Sequence, residues 1–192
     1  MFLGYAGVLI AAASLGSSEP VKVTPEFART NEFLRAIRYP DSPIAGTFVQ
    51  RKHLATGEDF VSSGVFSVDP GKTFEWRILE PFDSLFHATK EKYVYSNEDE
   101  CVEKALSELR GYSQIASVLE AEDAGDALSD AYEAMYTEEG GVSHVLARPR
   151  DSRMKRVLSR VEIDGTWSNL VFLATFPDRS TFEIKVKAEK CR

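Results

Sequence analysis

Large apolar residues fall on alternate positions through residues 45–96: Phe66 and Val68, then Phe74, Trp76 and Ile78, then Tyr93 and Tyr95. Alternation at period two marks strands with one apolar face. Turn chemistry separates the runs at Ala55-Thr56-Gly57-Glu58 and Asp69-Pro70-Gly71-Lys72. The stretch therefore predicts an antiparallel meander with an aromatic-rich face and a charged one. No nucleophile with its base, metal-ligand cluster or phosphate loop falls within it. A sheet that lines something apolar is the first expectation.

The pattern changes on either side. Thr24-Pro25-Glu26 is a helix start, and Phe27, Leu34 and Ile37 follow at helical spacing up to Pro40, which ends the run. Asn97-Glu98-Asp99-Glu100 breaks the strand pattern. Across residues 102–136 the spacing is helical, with stripes at Val102, Ala105, Leu106 and Leu109, at Ile115, Val118 and Leu119, and at Ala127, Leu128, Ala131 and Met135. Gly111 and Gly125 divide that region into two or three short helices, and Gly140-Gly141 closes it. Strands are expected again over residues 142–147, 157–163, 170–176 and 181–186, with turns at Asp164-Gly165 and Pro177-Asp178. There is no internal repeat and no low-complexity tract.

Length and composition narrow the class. A chain of 192 residues, 43% apolar and 28% charged, has the makings of one domain with a sizeable core. The formal net charge of -7 argues against nucleic acid as a partner. Charge is segregated: residues 91–139 hold 14 acidic and 3 basic residues, and residues 148–192 hold 11 basic and 6 acidic. Either two solvated faces attract one another, or the basic edge meets anionic headgroups or an acidic partner. The first residues, Met1 to Gly16, form an uncharged apolar run followed by Ser17-Ser18-Glu19-Pro20, with small residues at the spacing signal peptidase reads. No Lys or Arg precedes that run. Residues 1–18 are read as a signal peptide and residues 19–192 as the exported domain. Cys101 and Cys191 leave two readings open, a disulfide in an oxidising compartment or two unrelated thiols.

Catalytic and metal chemistry find little support. His53, His87 and His144 lack partners at ligand spacing, and Ser143-His144 sit adjacent on a strand, which turns their side chains to opposite faces. The basic run Arg148, Arg150, Arg153, Lys155 and Arg156 has no interleaved aromatics of the kind that bind nucleic acid. No catalytic residue, metal ligand or cofactor is assigned. The aromatic face is the remaining candidate: Phe48, Phe66, Phe74, Trp76, Ile78, Phe86 and Tyr93 are taken as an apolar, lipid-binding surface, against the plainer reading of packed core.

Several short motifs carry a family resemblance. Gly46-Thr47-Phe48-Val49-Gln50, Ser63-Gly64-Val65-Phe66, Phe74-x-Trp76 with Pro81 beyond it, and Tyr93-Val94-Tyr95 resemble the N-terminal half of the outer-membrane lipoprotein carrier (LolA-like) family. Leu146-Ala147-Arg148-Pro149-Arg150-Asp151 resembles the second half, so that the resemblance spans roughly residues 27–188. It implies an α+β fold, a half-open antiparallel β-barrel of roughly ten strands with an N-terminal helix and a helical lid. It also implies a periplasmic carrier of acylated cargo without a cofactor, served by an inner-membrane donor permease and an outer-membrane acceptor. Phe74 and Trp76 match the wall that contacts cargo in that family. One departure stands out. Asp69-Pro70 replaces an Arg-Pro pair whose arginine anchors the family's lid, and an ionised Asp69 donates no hydrogen bond. The chain thus looks closer to divergent members associated with other acylated or aryl-polyene lipids.

The resulting expectation is a monomeric periplasmic carrier that shields a lipoprotein's acyl chains or another lipid, not an enzyme. Its rival is a lipid-sensing regulatory domain of the same fold that binds an anti-sigma-type partner. The leader reading predicts a mature N-terminus between Ser14 and Val21. N-terminal sequencing of the periplasmic fraction checks it, and an intact Met1 chain in the cytoplasm would refute it.

Overall fold

Two antiparallel meanders share one sheet. The structure, a computed structural model, describes residues 19–38, 42–108 and 131–191. The first meander runs β2 (Ile44–His53), β3 (Asp59–Asp69), β4 (Thr73–Glu80), β5 (Ser84–Thr89), β6 (Lys92–Asn97) and β7 (Cys101–Ala105). The second runs β8 (Tyr132–Glu139), β9 (Val142–Pro149), β10 (Arg160–Thr166), β11 (Asn169–Thr175) and β12 (Thr181–Lys190). A two-residue β1 (Val21–Lys22) pairs with β8. The order is β1-β8-β9-β10-β11-β12-β2-β3-β4-β5-β6-β7, twelve strands with open edges at β1 and β7 among the described residues. The sheet is open, as the resemblance implied, and holds two strands more than expected.

The turns follow their chemistry. Gly57, Gly71, Gly140 and Gly141 all take positive φ at hairpin corners, where a side chain would be strained. Asn97 Oδ1 accepts from the N–H groups of Asp99 and Glu100, which turns β6 into β7. The predicted N-terminal helix is divided in two, α1 (Pro25–Thr30) and α2 (Glu32–Arg38). Asn31 makes the division: its N–H donates to the Phe27 carbonyl at 2.8 Å, and its Oδ1 accepts from the Leu34 N–H at 2.9 Å. Asparagine offers the backbone a local alternative to helix, so one residue closes α1 and caps α2. Ala28, Phe33 and Leu34 then pack on Val23, Ala134, Tyr136, Val145, Ala147 and Leu170 on the inner face of the second meander.

Three expectations are corrected. Residues 101–105 and 132–139 are strands, not helix. The spacing of Val102, Ala105 and Leu106 looks helical because Val102 faces Tyr95 across the sheet, and a 3-10 turn at Leu106–Glu108 then drops Leu106 into the core. The expected helices at residues 109–130, and with them most of the proposed lid, lie outside the described residues, as does the leader at residues 1–18. Asp164-Gly165 is not a turn but the interior of β10, opposite Val171 and Leu170. The strand expected from Val157 begins only at Arg160, because Asp151 Oδ1 accepts from the N–H groups of Arg153 and Met154 and starts a short helix, α3 (Ser152–Lys155).

A second core lies under the first meander. Phe48, Phe66, Val68 and Ala188 are its buried members, and Val186 touches both cores. Two glycines seat its rings. Phe48 pairs with Gly64 across β2 and β3, and Phe66 pairs with Gly46. A Cβ on Gly64 would collide with the Arg77 carbonyl and lie 2.8 Å from Phe48 Cζ, and one on Gly46 would collide with the Lys187 carbonyl and lie 2.8 Å from Phe66 Cε1. Each ring thus covers the other strand's glycine. Gly64→Ala should therefore destabilise the fold by about 2–3 kcal/mol through overpacking. Urea unfolding measures it, and an unchanged midpoint would show that the ring is not seated there.

Candidate functional site

Period-two alternation brings one set of rings to the inner face of β2 through β6. Phe48 stacks on Trp76 with centroids 3.7 Å apart and planes 20° from parallel. Phe66 and Phe74 lie 6.0 and 6.4 Å from Trp76. The row continues from Phe74 to Phe86 at 6.2 Å and from Phe86 to Tyr93 at 5.8 Å. Offset and tilted rings at these separations attract beyond simple area burial. Ile78 extends the face, opposite Gly64 on one side and Ser84 on the other. All seven residues singled out from sequence therefore share one surface.

They do not share one environment. Phe48 and Phe66 are 1% and 7% exposed and belong to the packed base. Phe74, Trp76, Ile78, Phe86 and Tyr93 are half-buried, and Phe74, Phe86 and Tyr93 pack against a small cluster of Ala88 and Leu106. The row is core on one side and open surface on the other.

Two clefts open beside it. The first, about 390 Å3, is bounded by Ile78, Tyr95, Ser84, Asn97, Glu98 and Asp99, together with Ser62 and the β4–β5 turn at Pro81, Phe82 and Asp83. The second, about 540 Å3, is bounded by Gln50, Lys52, Asp59, Phe60, Val61 and Phe182, and it shares Ser62, Pro81 and Phe82 with the first. The two form a trough with the Phe82 turn at its middle. Gln50 Nε2 donates to Ser62 Oγ at 2.6 Å within it. Of the residues expected from sequence, Ile78 lines the trough; the rings line neither cleft and lie beside it on the same face of the sheet. The alternation of β2 and β3 already placed Gln50, Lys52, Phe60 and Ser62 on this face. Their mixed polarity hid them.

Charge fixes the partition. Arg77, pointing to the outer face, donates from Nε and Nη2 to the two carboxylate oxygens of Asp83 at 3.0 and 2.7 Å. The hydrogen bonds from Arg77 hold the Asp83 carboxyl below its usual range, and Asp83 in turn raises the Arg77 guanidinium. Phe82 is left 73% exposed at the rim.

The histidines, Ser143 and Asp69 have partners of their own. His53, His87 and His144 each face a carboxylate on the neighbouring strand, Asp59 at 2.7 Å, Glu75 at 3.6 Å and Asp164 at 2.6 Å. Ser143 is buried on the inner side against the Tyr136 hydroxyl at 3.0 Å, while its neighbour His144 points outward, so the two make no nucleophile-base pair. Asp69 accepts from Lys72 at 3.0 Å within its own turn. Cys101 and Cys191 are both exposed and unbonded, with β2 to β6 between their strands.

No family model matches the chain, and no curated protein matches it. Among solved structures it is similar to a LolA superfamily protein of Nitrosomonas europaea, at 8% identity and a TM-score of 0.43, over 81% of this chain and 89% of that one. A likeness of that degree carries no functional argument.

The Arg77–Asp83 clamp has a testable pH dependence. A depressed carboxyl contributes stability that is present above its unfolded pKa and lost as pH falls through its lower folded value. The turn should thus stay fixed near the ordinary Asp pKa of about 3.9 and loosen only below it. Asp83→Asn should speed amide exchange at Phe82 and Ser84 at neutral pH while leaving Phe66 and Trp76 unchanged. Equal exchange in the variant and the parent would show that the clamp does not hold the turn.

Proposed function

We propose that this protein binds a lipid or an acylated molecule on the inner face of its open sheet and shields it during transport between membranes. The observation that carries the reading is the row of rings from Phe48 to Tyr93, buried at its base, half-open above and continuous with a trough. Apolar surface left open on a folded sheet is costly in water at ~25 cal/mol per Å2, so a ligand that covers it gains several kcal/mol. The face offers shape and apolarity but no converging nucleophile, base and oxyanion donor, which favours binding over catalysis.

In the cell this reading takes the leader as an export signal and the periplasm as the compartment. The protein acts as a monomer, without a cofactor, receiving cargo from an inner-membrane permease and delivering it to an outer-membrane acceptor. It supplies no energy, so release requires an acceptor that binds the cargo better. Cargo is a lipoprotein's acyl chains or another acylated or aryl-polyene lipid. Asp69, tied to Lys72, favours the second group, because any lid must be held by other contacts than the family's arginine.

An uncharged apolar dye such as Nile red should bind the folded protein and be displaced by long-chain lipid. Ile78→Glu and Phe74→Glu should each weaken dye binding by about tenfold or more, since an ionised carboxylate would face an apolar wall. Circular dichroism confirms folding of the variants. Unchanged binding in both folded variants would refute the site.

A further inference from the structure

The trough is electrically lopsided. In the second cleft the walls are Phe60, Val61, Pro81, Phe82 and Phe182, and the single cation is Lys52. Asp59, at that cleft's rim, is engaged by His53 at 2.7 Å. Asp178, on the turn before β12, is held ionised first by Ser180 hydrogen bonds and only weakly by Lys52. Among the described residues Lys52 enters no ion pair. At the other end, the first cleft carries Glu98 and Asp99, which also enter none among the described residues, and it has no cation. Between the two ends lie Phe82, Pro81 and the Gln50–Ser62 hydrogen bond.

We propose that the trough selects an amphiphile with one carboxylate head, seated on Lys52, whose chain runs past Phe82 to Ile78 and the rings beyond. The proposal rests on the carrier reading and adds the head group to it. Glu98 and Asp99 repel an anion from their end and so set its direction. The hydrogen bond from an ammonium to a carboxylate is charge-assisted, and a chain laid on Phe60, Phe82 and Phe182 would itself shield the pair from water. Asp59 is taken up by His53 and Asp178 by Ser180, which leaves the one ammonium for one head-group charge. Asp59 and Asp178 still repel a doubly charged phosphate more than a singly charged carboxylate. Ile78 neighbours Trp76 along β4, and Tyr95 lies opposite Phe86, so a chain leaving the trough passes directly onto the aromatic row.

The test compares four amphiphiles of equal chain length as competitors of Nile red at neutral pH: hexadecanoate, 1-hexadecanol, hexadecylamine and hexadecyl phosphate. Hexadecanoate should displace the dye at about one-tenth the concentration hexadecanol needs. Lys52→Gln should remove that advantage and leave hexadecanol unchanged, and Lys52→Glu should shift the preference to hexadecylamine. Lys52 is exposed, so these variants keep the fold. Equal displacement by hexadecanoate and hexadecanol on the parent, or equal loss of both in Lys52→Gln, overturns the head-group assignment while leaving the carrier reading standing. Tighter binding of hexadecyl phosphate overturns it in favour of a phosphate head. If the dye does not bind, or none of the four displaces it, the carrier reading falls as well.

Discussion

Everything in this molecule hangs on the pairing of β12 with β2. The ladder runs from Thr181 opposite His53 to Lys190 opposite Ile44, ten residue pairs that join the end of the chain to its first long strand. Each meander alone would have a raw edge at that point and half of an inner face. Joined, they place Val186 where it touches both cores, and they carry Phe182 to the wall of the trough beside Lys52. The contact is long-range, so closing it costs more loop entropy than any of the local hairpins.

A sheet of this width with open edges has to curl to cover its apolar face, and it covers the two halves differently. Over the second meander, α1 and α2 supply Ala28, Phe33 and Leu34 to a buried core. Under the first meander the sheet's own rings do much of the filling. Phe48 and Phe66 settle over Gly64 and Gly46, which brings Trp76 down onto Phe48. Stacking uses up the faces of these rings, and the described residues leave the outer half of the row half-buried with the clefts beside it.

Electrostatics sorts the two faces of the same sheet. Outside, each histidine sits beside a carboxylate and Arg77 meets Asp83, so these outer-face groups have partners across the strands or in the adjoining turn. Such exposed pairs add little stability, but Arg77–Asp83 fixes the turn that presents Phe82. Inside, Lys52 and the Glu98-Asp99 pair stand at opposite ends of the trough without such partners among the described residues.

Local chemistry by itself determined most of the hairpins. The glycine corners at Gly57, Gly71 and Gly140-Gly141 need positive φ, and the period-two rows put Phe66, Trp76 and Phe86 on one face, so both were legible before any folding was considered. Where spacing fits two periods at once, local pattern fails: Val102 and Met135 look helical until Tyr95 and Leu146 face them across β7 and β8. Asp164-Gly165 reads as a turn because the pattern cannot show that Leu170 lies opposite Gly165. The division of the seven ring-face residues into packed base and open surface, and the meeting of Lys52 with Phe182, were decided only by tertiary structure. Burial and charge environment depend on partners more than a hundred residues apart, and those partners are set by the β12–β2 ladder rather than by any local run.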